Sequence, residues 1–333
     1  MTNPIIMQVR TITYSRNVFL PLTTVCHNIC GYCSYRTPVR EGCIMEPDAV
    51  RESLRIGATA GCTEALFTFG ERPGEVEGFT PLLRRFGYDD ILDYCYDLSK
   101  EAIEAGLLPH TNAGILTSEE LERFRTVNAS MGLMLETTAR IPAHRESPGK
   151  DPDVRIAMIE DAGRLKIPFT TGLLIGIGET EEDRIESLET IAGIHRRYHH
   201  IQEVIIQNFC PKPETPMGKD GTVGREEFGE TIRLARAILP EDVAVQIPPN
   251  LADAEEFIGY GVNDLGGVSP VTVDYINPEH PWPELERLRE ITQGYRLVER
   301  LCIYPQYIRK GWFDPALTPL IMDLDKQIQE RNP

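Results

Sequence analysis

No stretch of this 333-residue chain approaches the ~20 consecutive apolar residues of a bilayer-spanning helix. The opening Met1-Thr-Asn-Pro4 has no secretory pattern, so a cytoplasmic protein without a membrane partner is expected. Positive charge is also scarce: 34 Lys and Arg against 51 Asp and Glu leave a formal net charge of −17. Nucleic-acid binders need a basic face to displace phosphate counterions, and pairs such as Arg84-Arg85 and Arg196-Arg197 read as solvated helix surface, so no nucleic-acid partner is expected. Internal repeats, low-complexity tracts and linkers are missing, which favours one domain over 1–333 with a core of about 18–300, an N-terminal extension 1–17 and a C-terminal extension 303–333. Eight cysteines suggest a disulfide framework only in a small secreted chain. Cys62, Cys95, Cys210 and Cys302 stand singly on apolar faces and read as inert core residues. The role of Cys43 is left open, and no further closely spaced cysteines suggest a second cluster.

What the chain has is alternation. β-rich runs near 18–25, 64–69, 107–112, 131–136, 168–176, 203–209, 243–248 and 264–269 are separated by segments of helical period. That is the pattern of a parallel sheet with crossover helices, and eight strands predict an α/β fold of the (βα)8 TIM-barrel type. Helices are expected over 46–60, with Pro47 in the first turn and Gly61 as its stop, and over 89–105. Another should follow Thr180, opening on Glu181-Glu182-Asp183 and closing near Arg196-Arg197, with charges that oppose the helix dipole. The spacing of Leu285, Leu288, Ile291, Tyr295 and Val298 predicts a helix over 283–300. Segment 71–88, rich in Gly, Pro and aromatic residues, is too long for an ordinary connector and is a candidate lid or substrate loop.

Directly after the first apolar run, Cys26, Cys30 and Cys33 offer three thiolates at C-x3-C-x2-C spacing. A [4Fe–4S] cube ordinarily takes four protein ligands, so three would leave one iron free for another partner. Zinc is the alternative, with His27 or Cys43 as fourth ligand, although no second Cys or His pair follows at ligand spacing; small buried residues are the other. In a barrel of this kind the active site is assembled at the C-terminal ends of the strands. Those positions carry the cysteine loop, Gly70-Glu71, His110 to Asn112, Glu136, Gly176 to Glu179, Gln207-Asn208, Pro249-Asn250 and Asp264 to Gly267. Their convergence, rather than any one of them, points to an enzyme.

The cysteine loop, with Tyr32 just before its last cysteine, resembles the signature of the radical S-adenosylmethionine (SAM) superfamily. That resemblance implies a (βα)8 TIM-barrel-like radical SAM fold and one [4Fe–4S] cluster held by Cys26, Cys30 and Cys33. SAM would bind the open iron through its amino and carboxylate groups, and its cleavage would yield methionine and a 5′-deoxyadenosyl radical. Phe67-Thr-Phe-Gly70-Glu71 resembles the segment that meets the SAM amino group. Glu136 and Arg155 resemble the acid near the SAM ribose and the base at its carboxylate in biotin-synthase-like and hydrogenase-maturase-like members, and Gly172 to Glu179 resembles a fifth-strand motif near adenine, which includes Gly176.

Segments 12–17, 207–217 and 262–278 are similar to the single-barrel CofG branch of FO synthase. The implied reaction closes the middle ring of a deazaflavin with loss of ammonia, acting on a hydroxybenzyl-ribitylaminouracil adduct. A CofH-type subunit would supply the adduct, and an electron-donor protein would reduce the cluster. His110, Asn112, Gln207, Asn208, Asn250 and Asn263 are candidate substrate contacts, with strand-end capping as the alternative for each. Competing assignments are a CofH-like enzyme, a menaquinone-pathway cyclase or a tyrosine lyase, and, from another class, a non-catalytic iron–sulfur or zinc protein.

Overall fold

The computed structural model describes residues 10–332. Eight parallel strands run β1 (Thr11–Leu20), β2 (Glu64–Thr68), β3 (Leu108–Asn112), β4 (Ser130–Gly132), β5 (Phe169–Ile175), β6 (Ile201–Asn208), β7 (Ala244–Gln246) and β8 (Asp264–Val268). Neighbours in sequence are neighbours in the sheet, and β1 pairs with both β2 and β8, which closes an eight-stranded barrel. Side chains alternate along each strand. Val18, Leu20, Ala65, Phe67, Val204 and Ile206 pack in the core with the surrounding helices, whereas Ser15, Asn17, Glu64, Leu66, Glu203 and Ile205 line a cavity inside the barrel.

Helices form where the sequence period and caps agree. Pro47–Thr59 buries Val50, Leu54 and Gly57, and a Cβ added at Gly57 would stand 2.9 Å from that of Val18, so the helix rests directly on β1. Ile91–Glu104 is capped by Asp90, whose side chain accepts from the Leu92 amide. Glu181–Tyr198 opens on a capping box between Thr180 and Asp183.

Four features differ from expectation. The first strand starts at Thr11, so residues 11–17 belong to the barrel rather than to an extension, while residues 1–9 lie outside the described residues. Ser15 and Asn17 hide this strand from an apolar search because they face the cavity. The fourth strand is only Ser130–Gly132; beyond it the chain is held to Leu173 by a bridge at Glu136, whose φ of 66° is left-handed. The helix expected over 283–300 is limited to Leu285–Ile291. Gly294, at φ 91°, turns the chain, and β9 (Arg296–Glu299) then pairs with Thr11–Tyr14 of β1. Finally, the candidate lid 71–88 is pinned to the core by Phe79 and Leu83, both fully buried.

After β9 the chain crosses the lower end of the barrel. Helices Pro305–Lys310 and Thr318–Arg331 bury Tyr307, Ile321, Leu324 and Ile328 with Leu108 and Ala129, and Arg16 of β1 reaches Glu299 at 2.8 Å. Among the described residues no helix is long and apolar enough to cross a membrane.

Candidate active site

The cysteine loop follows β1 at the C-terminal end of the barrel. It is fastened by backbone bonds from Ile29 to Glu146 (3.0 Å) and from Gly31 to Ala143 (2.8 Å), and the Cys33 amide turns back to the Cys30 carbonyl at 3.2 Å. The Glu71 amide donates to Cys26 Sγ at 3.2 Å and Ser147 Oγ to Cys30 Sγ at 3.4 Å. Glycine is required at position 70, since a Cβ there would lie 2.0 Å from the Val25 carbonyl oxygen. Cys26, Cys30 and Cys33 are half-buried and border one chamber together with Tyr32, Glu71, Glu136, Lys150 and Arg155. Burial pushes the Cys26 thiol up to about 11 and raises that of Cys33, so ligation of a metal here releases protons.

The two fourth ligands considered for zinc are engaged elsewhere. The His27 ring bonds Glu71 (3.0 Å) and Glu75 (2.9 Å), and Cys43 is buried outside the chamber wall. Among the described residues no three His, Cys, Asp or Glu side chains are set to hold a single metal ion; the three sulfurs border a space. Cys62, Cys95 and Cys302 are buried singletons, but Cys210 departs from the inert-core expectation, because it is half-buried in the chamber wall.

The charged groups converge on the same space. Glu71 is 4% exposed, accepts from His27, and lies 3.5 Å from the Arg155 guanidinium, yet its Oε2 has no hydrogen-bond partner. Burial would raise this carboxyl; the His27 bond and the charges of Arg155 and Lys150 overcome it and hold the group down at about 2. Gly114 and Gly149 leave the room it occupies, since a Cβ at either would collide with it. Arg155 also donates to the Met134 carbonyl. Glu136 is paired at 2.5 Å with Lys150, whose charge, with that of Arg155, lowers its pKa against the effect of burial. Tyr32 is oriented by a 3.1 Å hydrogen bond with His144. His27 as a partner of Glu71, Lys150 and His144 were not foreseen as site residues. Their proximity to Glu71, Glu136 and Tyr32 is created by loops folding over the barrel mouth.

Gly176 does not border the chamber. It is left-handed at φ 97° and donates its amide to Glu179 (2.8 Å), which also accepts from Ile177 and Arg184, so this motif braces the loop beside Leu174 and Phe209 of the wall.

A second chamber fills the barrel below the first, and both are bordered by Thr68, Asn112, Met134, Gln207, Ile276 and Asn277. His110 and Asn250 border the lower chamber, so four of the six candidate substrate residues meet there. Asn208 and Asn263 do not join them. Asn208 donates to the Leu251 carbonyl at 3.1 Å, and Asn263 accepts from the Val245 amide at 2.7 Å, bracing β7 against β8. For these two the strand-capping alternative describes the geometry. Asp264 likewise is the first residue of β8, not a strand-end group, and its carboxylate is bound by Arg300 at 2.7 Å.

Comparison with known proteins is consistent with this layout. Residues 20–191 match the Radical SAM superfamily. The chain is 68% identical over 322 residues to a protein of Methanoculleus marisnigri named 7,8-didemethyl-8-hydroxy-5-deazariboflavin synthase, covering 97% of each. A protein of the same name from Methanosphaerula palustris is 64% identical, with 96% of this chain and 98% of that one covered. Among solved structures, HydG, a maturase of the [FeFe]-hydrogenase, superposes with a TM-score of 0.70 over 94% of this chain and 70% of its own, at 18% identity. HydG from Carboxydothermus hydrogenoformans gives 0.66 over 95% and 82%, also at 18% identity. At that identity the likeness concerns the fold.

Proposed function

The chain belongs to the radical SAM superfamily and to the 7,8-didemethyl-8-hydroxy-5-deazariboflavin synthases within it, and from that premise we propose how its two chambers divide the work. The enzyme forms the deazaflavin FO, the precursor of coenzyme F420, using one [4Fe–4S] cluster and SAM. Its substrate is 5-amino-5-(4-hydroxybenzyl)-6-(D-ribitylimino)-5,6-dihydrouracil, delivered by a CofH-type partner, with an electron-donor protein supplying the reducing electron.

The observation that carries the division is the shared wall: the thiol chamber and the barrel chamber meet at Thr68, Asn112, Met134 and Gln207. The residues fit the absent groups. Cys26, Cys30 and Cys33 would hold the cluster and leave one iron open, and the Glu71 carboxylate, whose Oε2 has Arg155 at 3.5 Å but accepts no hydrogen bond, suits an ammonium donor. In this assignment Glu71 takes the SAM amino group, Arg155 its carboxylate and Glu136 its ribose, with Lys150 holding Glu136 in place. Tyr32, Gly70 and Gly176 shape the wall and the loops around it. Bound there, SAM supplies by reductive cleavage a carbon radical that removes one hydrogen atom from the substrate.

Such a radical attacks almost any C–H bond, so the protein's task is to hold one target close and keep others away. Asn112 and Gln207, at the junction, are placed to orient the reacting end of the adduct. Carbon–nitrogen closure, departure of ammonia and loss of a second electron then complete the aromatic ring. Overall, adduct and SAM become FO, methionine, 5′-deoxyadenosine and ammonium.

The test is reconstitution under anaerobic conditions with SAM, a reductant and adduct generated by a CofH-type enzyme. Ammonia, methionine, 5′-deoxyadenosine and a fluorescent deazaflavin are expected together, and no deazaflavin when the partner is omitted and free tyrosine is supplied. Robust 5′-deoxyadenosine formation in the complete system without deazaflavin would reject the substrate.

A further inference from the structure

The lower chamber is deeper than the junction residues require, and its lining changes with depth. Nearest the thiol chamber it presents Thr68, Asn112 and Gln207; one step down each strand come the apolar Leu66 and Ile205, and below them Ser15, Glu64 and Glu203. The floor is closed by Arg300, which donates to Glu203 and Asp264 at 2.7–2.8 Å, while the Tyr304 hydroxyl lies 2.8–3.0 Å from the same two carboxylates with one hydrogen to share between them.

Hydrogen-bond capacity at that depth is left unspent. Asn17 borders the chamber at 1% exposure, and its side-chain oxygen has no donor. Glu64 accepts one bond, from Ser15 at 2.9 Å, and is 5% exposed with no cation among its ion pairs, unlike Glu203, which has Arg300. Burial, with the charges of Glu203 and Asp264 nearby, pushes Glu64 up to about 7 against that bond and the charge of Arg300. At His110 the tautomer follows from its neighbour. Ser130 Oγ spends its single hydrogen on the Cys302 carbonyl (2.9 Å), so it accepts from His110 Nδ1–H at 2.7 Å and leaves Nε2 as a lone-pair acceptor. Burial, aided by the charge of Arg300, lowers His110 to about 3 and keeps it neutral.

Three buried polar side chains with unspent hydrogen-bonding capacity therefore border one cavity, the Asn17 amide, the second oxygen of Glu64 and His110 Nε2, a costly arrangement unless a ligand completes them. The dihydrouracil ring offers few N–H donors, whereas a polyol brings both a donor and an acceptor on every carbon that carries a hydroxyl. We propose that the lower chamber is a polyol subsite in which the Asn17 amide, Glu64 and His110 exchange hydrogen bonds with the ribityl hydroxyls, so that the adduct enters tail first and its rings stop between Leu66, Ile205 and the junction. This rests on the substrate assigned above and adds its orientation: the ribityl chain points away from the cysteines and the hydroxybenzyl end towards them.

The test measures binding directly, by calorimetry on the reconstituted full chain, with FO and with an analogue whose ribityl group is replaced by ethyl. The native protein should bind FO at least 10-fold more tightly than the analogue. Glu64→Gln and Asn17→Ala should each reduce or abolish that preference while leaving analogue affinity unchanged. Equal affinity of the native protein for both ligands would overturn the proposal even if neither variant folds, as would variants that weaken both ligands alike. Absence of deazaflavin formation by the native enzyme would instead reject the substrate assignment, so the two failures are distinguishable.

Discussion

Replacing Glu71 by glutamine tests the SAM assignment most directly, because it preserves shape and removes charge. The carboxylate is 4% exposed, with His27 at 3.0 Å from one oxygen and Arg155 at 3.5 Å from the other, which accepts no hydrogen bond. A hydrogen bond to a charged group contributes about 1.5–3 kcal/mol. Glu71→Gln should therefore weaken SAM roughly 10- to 100-fold, measured by equilibrium dialysis on reconstituted protein. Iron content should stay unchanged, because the Cys26 sulfur receives the backbone amide of residue 71 and not its side chain. Gly149→Ala should produce the same loss with the carboxylate retained, since its Cβ would fall 1.5 Å from Glu71 Oε1 and force the side chain away.

The same group makes a stability prediction. Its carboxyl is held at about 2 from an ordinary 4.5, so its contribution is fully present above about pH 4.5 and is lost as pH falls towards 2. That shift corresponds to about 3 kcal/mol, so the acid side of the native protein's stability profile should flatten in Glu71→Gln. Unchanged SAM affinity in both Glu71→Gln and Gly149→Ala would refute the assignment, whatever their stability.

Two further outcomes are expected. Cys30→Ser should abolish the visible absorption of the cluster and 5′-deoxyadenosine formation together; stoichiometric zinc in anaerobically purified native protein, which iron cannot replace, would defeat the cluster reading. Arg300→Met leaves Glu203 and Asp264 buried without their cation and should cost about 3–5 kcal/mol, seen as a lower thermal midpoint by circular dichroism, and an unchanged midpoint would show that the floor does not depend on this pair.

The residues that could be read from sequence were those whose partners are close in the chain or whose spacing is itself the signal. The cysteine loop, Gly70-Glu71 and the helices Pro47–Thr59 and Ile91–Glu104 are of this kind. Lys150 and His144 act through side chains separated in sequence and brought together by the fold, and Asn17 and Glu64 look like ordinary polar interruptions until the barrel closes around them. Apolar spacing alone misled at 283–300, where the intervals of a helix also suit a short helix, a turn at Gly294 and a strand. Asn208 and Asn263 show the reverse limit: polar residues near strand termini are as useful for satisfying backbone groups as for meeting a ligand.

The pairing of β1 with β8 and β9 has a consequence for biosynthesis. Thr13 bonds the Asn263 carbonyl and Arg16 bonds Glu299, contacts separated by 250 and 283 residues, so the ring cannot close until nearly the whole chain has left the ribosome. Contacts this remote slow folding. Cys26, Cys30 and Cys33 are therefore made long before Arg155 and the segments that cover the barrel mouth. Through that interval the thiols lack the walls that Glu136, Lys150 and Arg155 give the chamber, and a finished pocket has to wait for the first strand to meet the last.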